Sequence, residues 1–64
     1  MSKIKFTETM IMNLKFAMVK KFGDVNYTRL AKEIGKSRQA VYYAITNKKG
    51  FDTTRKLIID WIAK

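Results

Sequence analysis

The side chains best suited to molecular recognition lie together between Ser37 and Asn47. When Val41 is placed toward the core of a helix, four residues project outward within an arc of about 100°. They are Gln39, Tyr42, Tyr43 and Thr46. Their amide and hydroxyl groups donate and accept hydrogen bonds, and the two rings also offer apolar edges. We therefore expect binding chemistry here; the alternative is that the tyrosines fill a small core, Tyr43 more readily than Tyr42.

The chain contains few side chains that could catalyse a reaction. It contains no His and no Cys, which removes the commonest general bases, the thiol nucleophile and the usual zinc ligands. The carboxylates are scattered, and most lie where helix starts explain them; they are Glu8, Asp24, Glu33, Asp52 and Asp60. No Gly-rich phosphate loop precedes a helix. We predict a protein that is not an enzyme and that uses no cofactor, metal or small-molecule substrate.

Two short predicted helices position the outward residues. The first begins at Asn26, whose side-chain oxygen can accept a bond from an orphan backbone N–H, and it ends at Gly35, which tolerates a positive φ. Ser37 can cap the second. Each helix has one apolar face, made by Leu30, Ala31 and Ile34 in the first and by Val41, Ala44 and Ile45 in the second. Two helices joined by so tight a turn predict a helix-turn-helix, with Ala31 where they must pass closely.

This run resembles the helix-turn-helix of the phage Cro and repressor family (XRE-like). The matching apolar, small, glycine and capping positions are Leu30, Ala31, Ile34, Gly35, Ser37, Val41 and Ile45. The stretch from Ala40 to Ile45 is especially similar to Cro, whose second helix has the same small-apolar-x-x-small-apolar layout. The motif covers about a third of the chain. The resemblance implies a lambda-repressor-like or Cro-like fold and a phage or prophage transcriptional repressor that binds double-stranded DNA at a palindromic operator as a homodimer.

In that family the second helix lies in the major groove and contacts base edges. The resemblance thus implies base contacts from Ser37, Arg38, Gln39, Tyr42, Tyr43 and Thr46. Arg38 can bond the O6/N7 edge of guanine and Gln39 the N6/N7 edge of adenine, although either can instead hold a phosphate. We expect phosphate contacts from the residues around this helix, which are Tyr27, Arg29, Lys32, Lys36, Lys48 and Lys49.

The charge of the chain is consistent with a polyanionic partner. Its 64 residues carry 14 Lys and Arg against 5 Asp and Glu, a net charge of +9. Such a surplus of positive charge is usually neutralised by a bound polyanion. The alternative is a basic domain without a specific partner.

We predict a single domain over residues 1–64. No apolar run approaches the roughly 20 residues that span a bilayer, and no signal peptide is evident, so the bacterial or phage-infected cytoplasm is the expected location.

A long first helix is predicted from Thr7, its N-cap, to about Phe22. One broad face should be core: Met10, Ile11, Leu14, Ala17, Met18 and Phe22. A second apolar stripe consists of Met12, Phe16 and Val19. Either the C-terminal helix covers this stripe, which we favour slightly in so small a domain, or the stripe is a surface for a second subunit or another protein.

The two ends of the chain complete the prediction. Asp52 is expected to cap a last helix from Thr53 to Ala63, with a buried side made by Leu57, Ile58, Trp61 and Ile62. Trp61 should be a core anchor. The segment Lys3–Phe6 alternates apolar and basic residues and could be an edge strand or a basic arm, but a frayed terminus is slightly favoured.

The chain is therefore expected to fold as an all-α bundle of four to five short helices. Two other functions remain open. One is a small protein-interaction adaptor or antirepressor that docks through the Met12/Phe16/Val19 stripe. The other is an excisionase-like architectural factor that uses the same motif to bend DNA.

Overall fold

Four α-helices form the regular structure of the computed structural model, which describes residues 5–64. They are α1 (Glu8–Phe22), α2 (Tyr27–Ile34), α3 (Arg38–Ile45) and α4 (Asp52–Ala63). No strand occurs within residues 5–64, so the prediction of an all-α bundle is confirmed, with four helices. The α2–α3 pair is joined by three residues; its identity as a DNA-binding helix-turn-helix stays a prediction.

Side-chain caps fix where three of the helices begin. Thr7 Oγ1 accepts from the Met10 backbone N–H at 3.2 Å, and Asn26 Oδ1 accepts from the Arg29 N–H at 3.0 Å. Each cap satisfies one backbone donor that has no partner within its helix. The turn between α2 and α3 is set by Gly35, whose φ of 73° is left-handed and therefore suits glycine. The predicted caps at these positions are confirmed.

The core lies where all four helices meet. α2 packs against α3, and α4 packs against α1, α2 and α3. The helical apolar residues that are buried are Leu14, Met18, Leu30, Ala31, Val41, Ala44, Ile45, Ile58 and Trp61. Trp61 is 5% exposed, and its ring lies 5.4 Å from that of Phe22 between centroids, so its predicted role as a core anchor is confirmed. Ala31 is also buried, as its place between two closely packed helices requires.

The segment before α1 differs from the frayed terminus that the sequence slightly favours. Phe6 is only 4% exposed and joins the core cluster. Its backbone N–H donates to Asn47 Oδ1 at 2.6 Å, and Asn47 Nδ2 donates to the Phe6 carbonyl at 2.8 Å. Phe6 is therefore anchored, although not as part of a strand. Lys5 is exposed, and Lys3 and Ile4 lie outside the described residues.

The start of α4 also differs from the prediction. Phe51 is the N-cap residue and provides no side-chain cap bond, while Asp52 is already helical. The Asp52 carboxylate instead forms an ion pair with Arg55, one turn further along. Arg55 is buried, and its guanidinium takes the place of a backbone N–H as the partner of Asp52. Ile58 and Trp61 are buried as expected, whereas Leu57 and Ile62 are only half-buried.

The second stripe of α1 is not covered by α4, so the slightly favoured intramolecular packing is wrong. Met12, Phe16 and Val19 are 58%, 67% and 47% exposed. α4 lies instead on the opposite side of α1, where Leu14 and Met18 are buried and Phe22 meets Trp61. Lys21 strengthens that contact, because its Nζ donates to the Trp61 carbonyl at 2.8 Å.

Candidate nucleic-acid interface

The orientation of α3 follows from its cap and its apolar stripe. Ser37 Oγ accepts from the Ala40 N–H at 3.1 Å and begins the helix. Val41 and Ala44 are fully buried, which turns the opposite side of α3 to solvent. Arg38, Gln39 and Tyr42 are exposed on or beside that side. We call these three residues, together with Tyr43 and Thr46, the outer face of α3.

One flank of the outer face borders a cleft. The cleft has a volume of about 510 Å3 and is lined by Tyr27, Arg38, Gln39, Tyr42 and Ile45. Burial raises the pKa of the Tyr27 phenol further above its ordinary value, which already lies well above neutral pH, and the protonated hydroxyl can donate a hydrogen bond. The cleft thus combines a guanidinium, an amide and two phenols over an apolar floor. The donor groups of such a surface can bind an anionic oxygen of a ligand, and its apolar part can pack against a ring or a sugar of the same ligand.

The other flank is formed by Tyr43, which is half-buried rather than freely projecting. Gln39 Nε2 donates to the Tyr43 hydroxyl at 2.7 Å. The Tyr43 ring lies 5.2 Å from the Phe51 ring, and Lys48 Nζ lies 4.4 Å from its centroid. The expectation that Tyr43 is more readily buried than the 60% exposed Tyr42 agrees with these contacts.

Two of the hydroxyl groups that are predicted to contact bases already form hydrogen bonds with the helix backbone. The Ser37 hydroxyl oxygen caps α3. The Thr46 hydroxyl, although exposed, donates to the Tyr42 carbonyl at 2.9 Å, with a longer contact to the Tyr43 carbonyl. A base contact from Thr46 would have to use its oxygen as an acceptor or break this bond. Within the described residues, Arg38, Gln39 and Tyr42 are thus the exposed members of the predicted base-contacting set whose polar groups form no hydrogen bond to the backbone.

The predicted phosphate-contacting residues are distributed over three parts of the surface. Lys48 and Lys49 lie in the loop that follows α3, and Lys36 lies in the turn that precedes it. Lys32 is exposed on α2. The Arg29 guanidinium lies 4.7 Å from the centroid of the Phe22 ring, which draws it toward α1 rather than toward α3. Lys36, Lys48 and Lys49 thus adjoin the ends of α3 directly, whereas Arg29 does not.

A buried arginine that sequence reasoning missed supports the loop after α3. Arg55 Nη1 donates to the Ala44 carbonyl at 3.1 Å and to the Lys48 carbonyl at 3.2 Å, and Arg55 is 4% exposed. Its guanidinium therefore ties α4 to the end of α3 and to the backbone of the basic loop. The one available signal was the Asp52–Arg55 spacing, which allows an ion pair within one helical turn.

Asn47 is a second supporting residue that the sequence did not reveal. It has a φ of 62°, in the left-handed region that Asn tolerates better than most residues. Its side-chain amide holds the backbone N–H and the carbonyl of Phe6 through one hydrogen bond each. The loop is thus tied to the N-terminal segment at Asn47 and to α4 at Lys48.

The part of the chain that the structure describes shows neither a metal site nor a membrane-spanning helix. Among residues 5–64 no group of three or more Asp or Glu side chains is placed to hold a metal ion. None of the helices α1 to α4 is both long and apolar enough to cross a bilayer. Comparison with models of known protein families, with curated proteins and with solved structures gave no match to this chain.

Proposed function

We propose that the protein is a sequence-specific double-stranded DNA-binding transcriptional regulator, a Cro-like repressor that reads DNA with the outer face of α3. One observation carries the proposal: α3 exposes Arg38, Gln39 and Tyr42 while basic residues adjoin both of its ends. A helix that presents hydrogen-bonding side chains between phosphate-binding lysines has the chemistry that the major groove requires. The net charge of +9 supports the same partner.

In this proposal α3 lies in the major groove and its two flanks meet the two phosphate backbones. Arg38 and Gln39 contact base edges, with Tyr42 beside them. Lys48 and Lys49 contact phosphates from one flank, while the cleft beside Tyr27 and Arg38 accepts a phosphate or sugar from the other. The phosphate contacts fix the position of α3 and carry no sequence information themselves.

Two copies are expected on the DNA. A single α3 offers too few base contacts for useful specificity, since each good pair contributes only about 1–3 kcal/mol of discrimination. A two-fold pair of copies would double the contacts and would require a palindromic operator with its half-sites about one helical turn apart.

Selection of bound sequences from a random double-stranded DNA pool tests the proposal. We expect a palindromic consensus, with half-sites separated by about 10 base pairs or a multiple of it. A consensus without symmetry would refute the two-fold dimer but not sequence reading. Recovery of no consensus at any salt concentration at which the protein binds DNA would refute sequence-specific binding.

A second candidate function, docking on another protein as an adaptor or antirepressor, is favoured by one observation. The Met12/Phe16/Val19 stripe is exposed along α1, and contiguous exposed apolar surface commonly marks an interaction site. The two functions separate in a variant with an altered outer face of α3. Arg38→Ala combined with Gln39→Ala should abolish sequence preference on DNA, whereas an adaptor would keep its activity in cells.

A further inference from the structure

The amide of Gln39 is held by a neighbour on the outer face of α3. Gln39 and Tyr43 are four residues apart and therefore adjacent on the helix surface. Gln39 Nε2 donates to the Tyr43 hydroxyl at 2.7 Å. The Tyr43 ring is itself held against Phe51 and beneath Lys48. A flexible exposed side chain is thus tethered to one that is packed.

This hydrogen bond determines which groups Gln39 offers to a ligand. The amide has two N–H donors and one carbonyl acceptor. One N–H is engaged by Tyr43, so one N–H and Oε1 remain. Adenine presents an acceptor at N7 and a donor at N6 in the major groove, which match the remaining pair. Guanine presents two acceptors, N7 and O6, and would leave Oε1 without a donor.

We propose that Tyr43 is a positioning residue that orients the Gln39 amide so that the protein selects adenine over guanine at one base pair of each half-site. This inference rests on the proposed DNA binding by α3 and adds a residue that determines specificity without touching the base. Tyr43 acts through its hydroxyl, while its ring keeps that hydroxyl in place.

Tyr42 supplies a matched control for the test. It is the neighbouring tyrosine on the same helix, but it is 60% exposed. Tyr43→Phe removes the hydroxyl and keeps the ring that contacts Phe51 and Lys48, whereas Tyr42→Phe removes a hydroxyl that does not hold Gln39. Both variants should retain the helical circular dichroism and the thermal melting of the parent.

The measurement is binding to the selected operator with each of the four bases at the position that Gln39→Ala identifies. The parent should prefer adenine over guanine there by about tenfold, the scale of one bidentate contact. In Tyr43→Phe this preference should fall to within about threefold, while Tyr42→Phe should keep it. The quantity compared is this ratio of affinities within each protein and not the affinity itself, because Tyr42 also lies on the outer face of α3. Combining Tyr43→Phe with Gln39→Ala should change the preference no further than Gln39→Ala does.

An adenine preference that persists in Tyr43→Phe, or a guanine preference in the parent, would overturn the inference while leaving DNA binding intact. If the parent shows no base preference at all, the proposed function itself fails. A second measurement needs no DNA. The side-chain amide resonances of Gln39 in the free protein should shift in Tyr43→Phe and not in Tyr42→Phe; equal spectra would overturn the positioning role.

Discussion

The outer face of α3 and the Met12/Phe16/Val19 stripe of α1 are both exposed to solvent, but they differ in chemistry and in the contacts that hold them in place. α3 exposes Arg38, Gln39 and Tyr42, and contacts from Tyr43 and the following loop hold part of this face. α1 exposes the Met12/Phe16/Val19 stripe, which is apolar. Exposure alone therefore does not identify a binding site. Hydrogen-bonding groups that other residues hold in place suit a directional ligand, whereas apolar groups suit only a partner that removes them from water.

Salt should produce the largest difference between the two faces. If about six to eight phosphates are neutralised, log K plotted against log salt concentration should have a slope of about −5 to −7. A fourfold rise in salt then weakens binding about a thousandfold or more. Fluorescence anisotropy with a labelled operator measures this slope.

Substitution of single lysines shows which face of the molecule causes this salt dependence. Lys48→Ala should make the slope shallower by about 1, because one phosphate contact is lost. Lys15→Ala removes an equal charge from exposed α1 and should leave the slope unchanged. A parental slope shallower than about −2 would contradict an electrostatic DNA interface.

Base-specific substitutions should have the next largest effect. Arg38→Ala and Gln39→Ala should each cost about 1–3 kcal/mol per half-site on the preferred operator, because a bidentate base contact is lost. Each should relax the preference at one base pair. Lys49→Ala, at an exposed position of the loop after α3, should weaken all sequences alike. Titrations against the operator and against random DNA distinguish the outcomes, and identical behaviour of the three variants would show that α3 does not read bases.

Removing the Arg55 guanidinium, which supports the end of α3, should have a smaller effect, which concerns the stability of the fold. Arg55→Met keeps most of the buried volume but loses the hydrogen bonds to the Ala44 and Lys48 carbonyls and the ion pair with Asp52. The Ala44 carbonyl keeps the Asn47 N–H as a donor, but the part-buried Lys48 carbonyl loses the Arg55 donor, which should lower the free energy of unfolding by about 1–3 kcal/mol. Urea unfolding measures the change. Lys56→Met, at the exposed next position of α4, is the control and should stay within about 0.5 kcal/mol of the parent.

The features that the sequence predicted are those that local rules determine. The caps at Thr7, Asn26 and Ser37 depend on residues only three positions away. The division of α3 into a buried and an outer face follows from helical periodicity. None of these predictions requires knowledge of distant parts of the chain.

The features that the sequence did not predict depend on contacts between distant residues or on a choice between partners. Phe6 is anchored by Asn47, 41 residues away, so no local pattern indicates it. Asp52 had two suitable partners, a backbone N–H and the Arg55 guanidinium, and the charged partner prevailed. Periodicity likewise shows that Met12 and Phe16 share a face but not whether any element covers it.

The smallest expected effect on folding comes from a substitution in the Met12/Phe16/Val19 stripe of α1. Phe16 is 67% exposed, so Phe16→Lys should leave helicity unchanged and the free energy of unfolding within about 0.5 kcal/mol of the parent. If the stripe joins two copies, the variant should have a lower mass by light scattering than the parent at the same concentration. It should also bind a palindrome much more weakly but a single half-site equally well, because only the contacts made through the second copy are lost.

Asn13→Lys is the control. It adds the same charge at an exposed α1 position that is not part of the stripe, and it should change neither the mass nor the affinity for the palindrome. Unfolding of Phe16→Lys would contradict the exposed position of this side chain, whereas an unchanged mass together with unchanged operator affinity would show that two copies do not meet through α1.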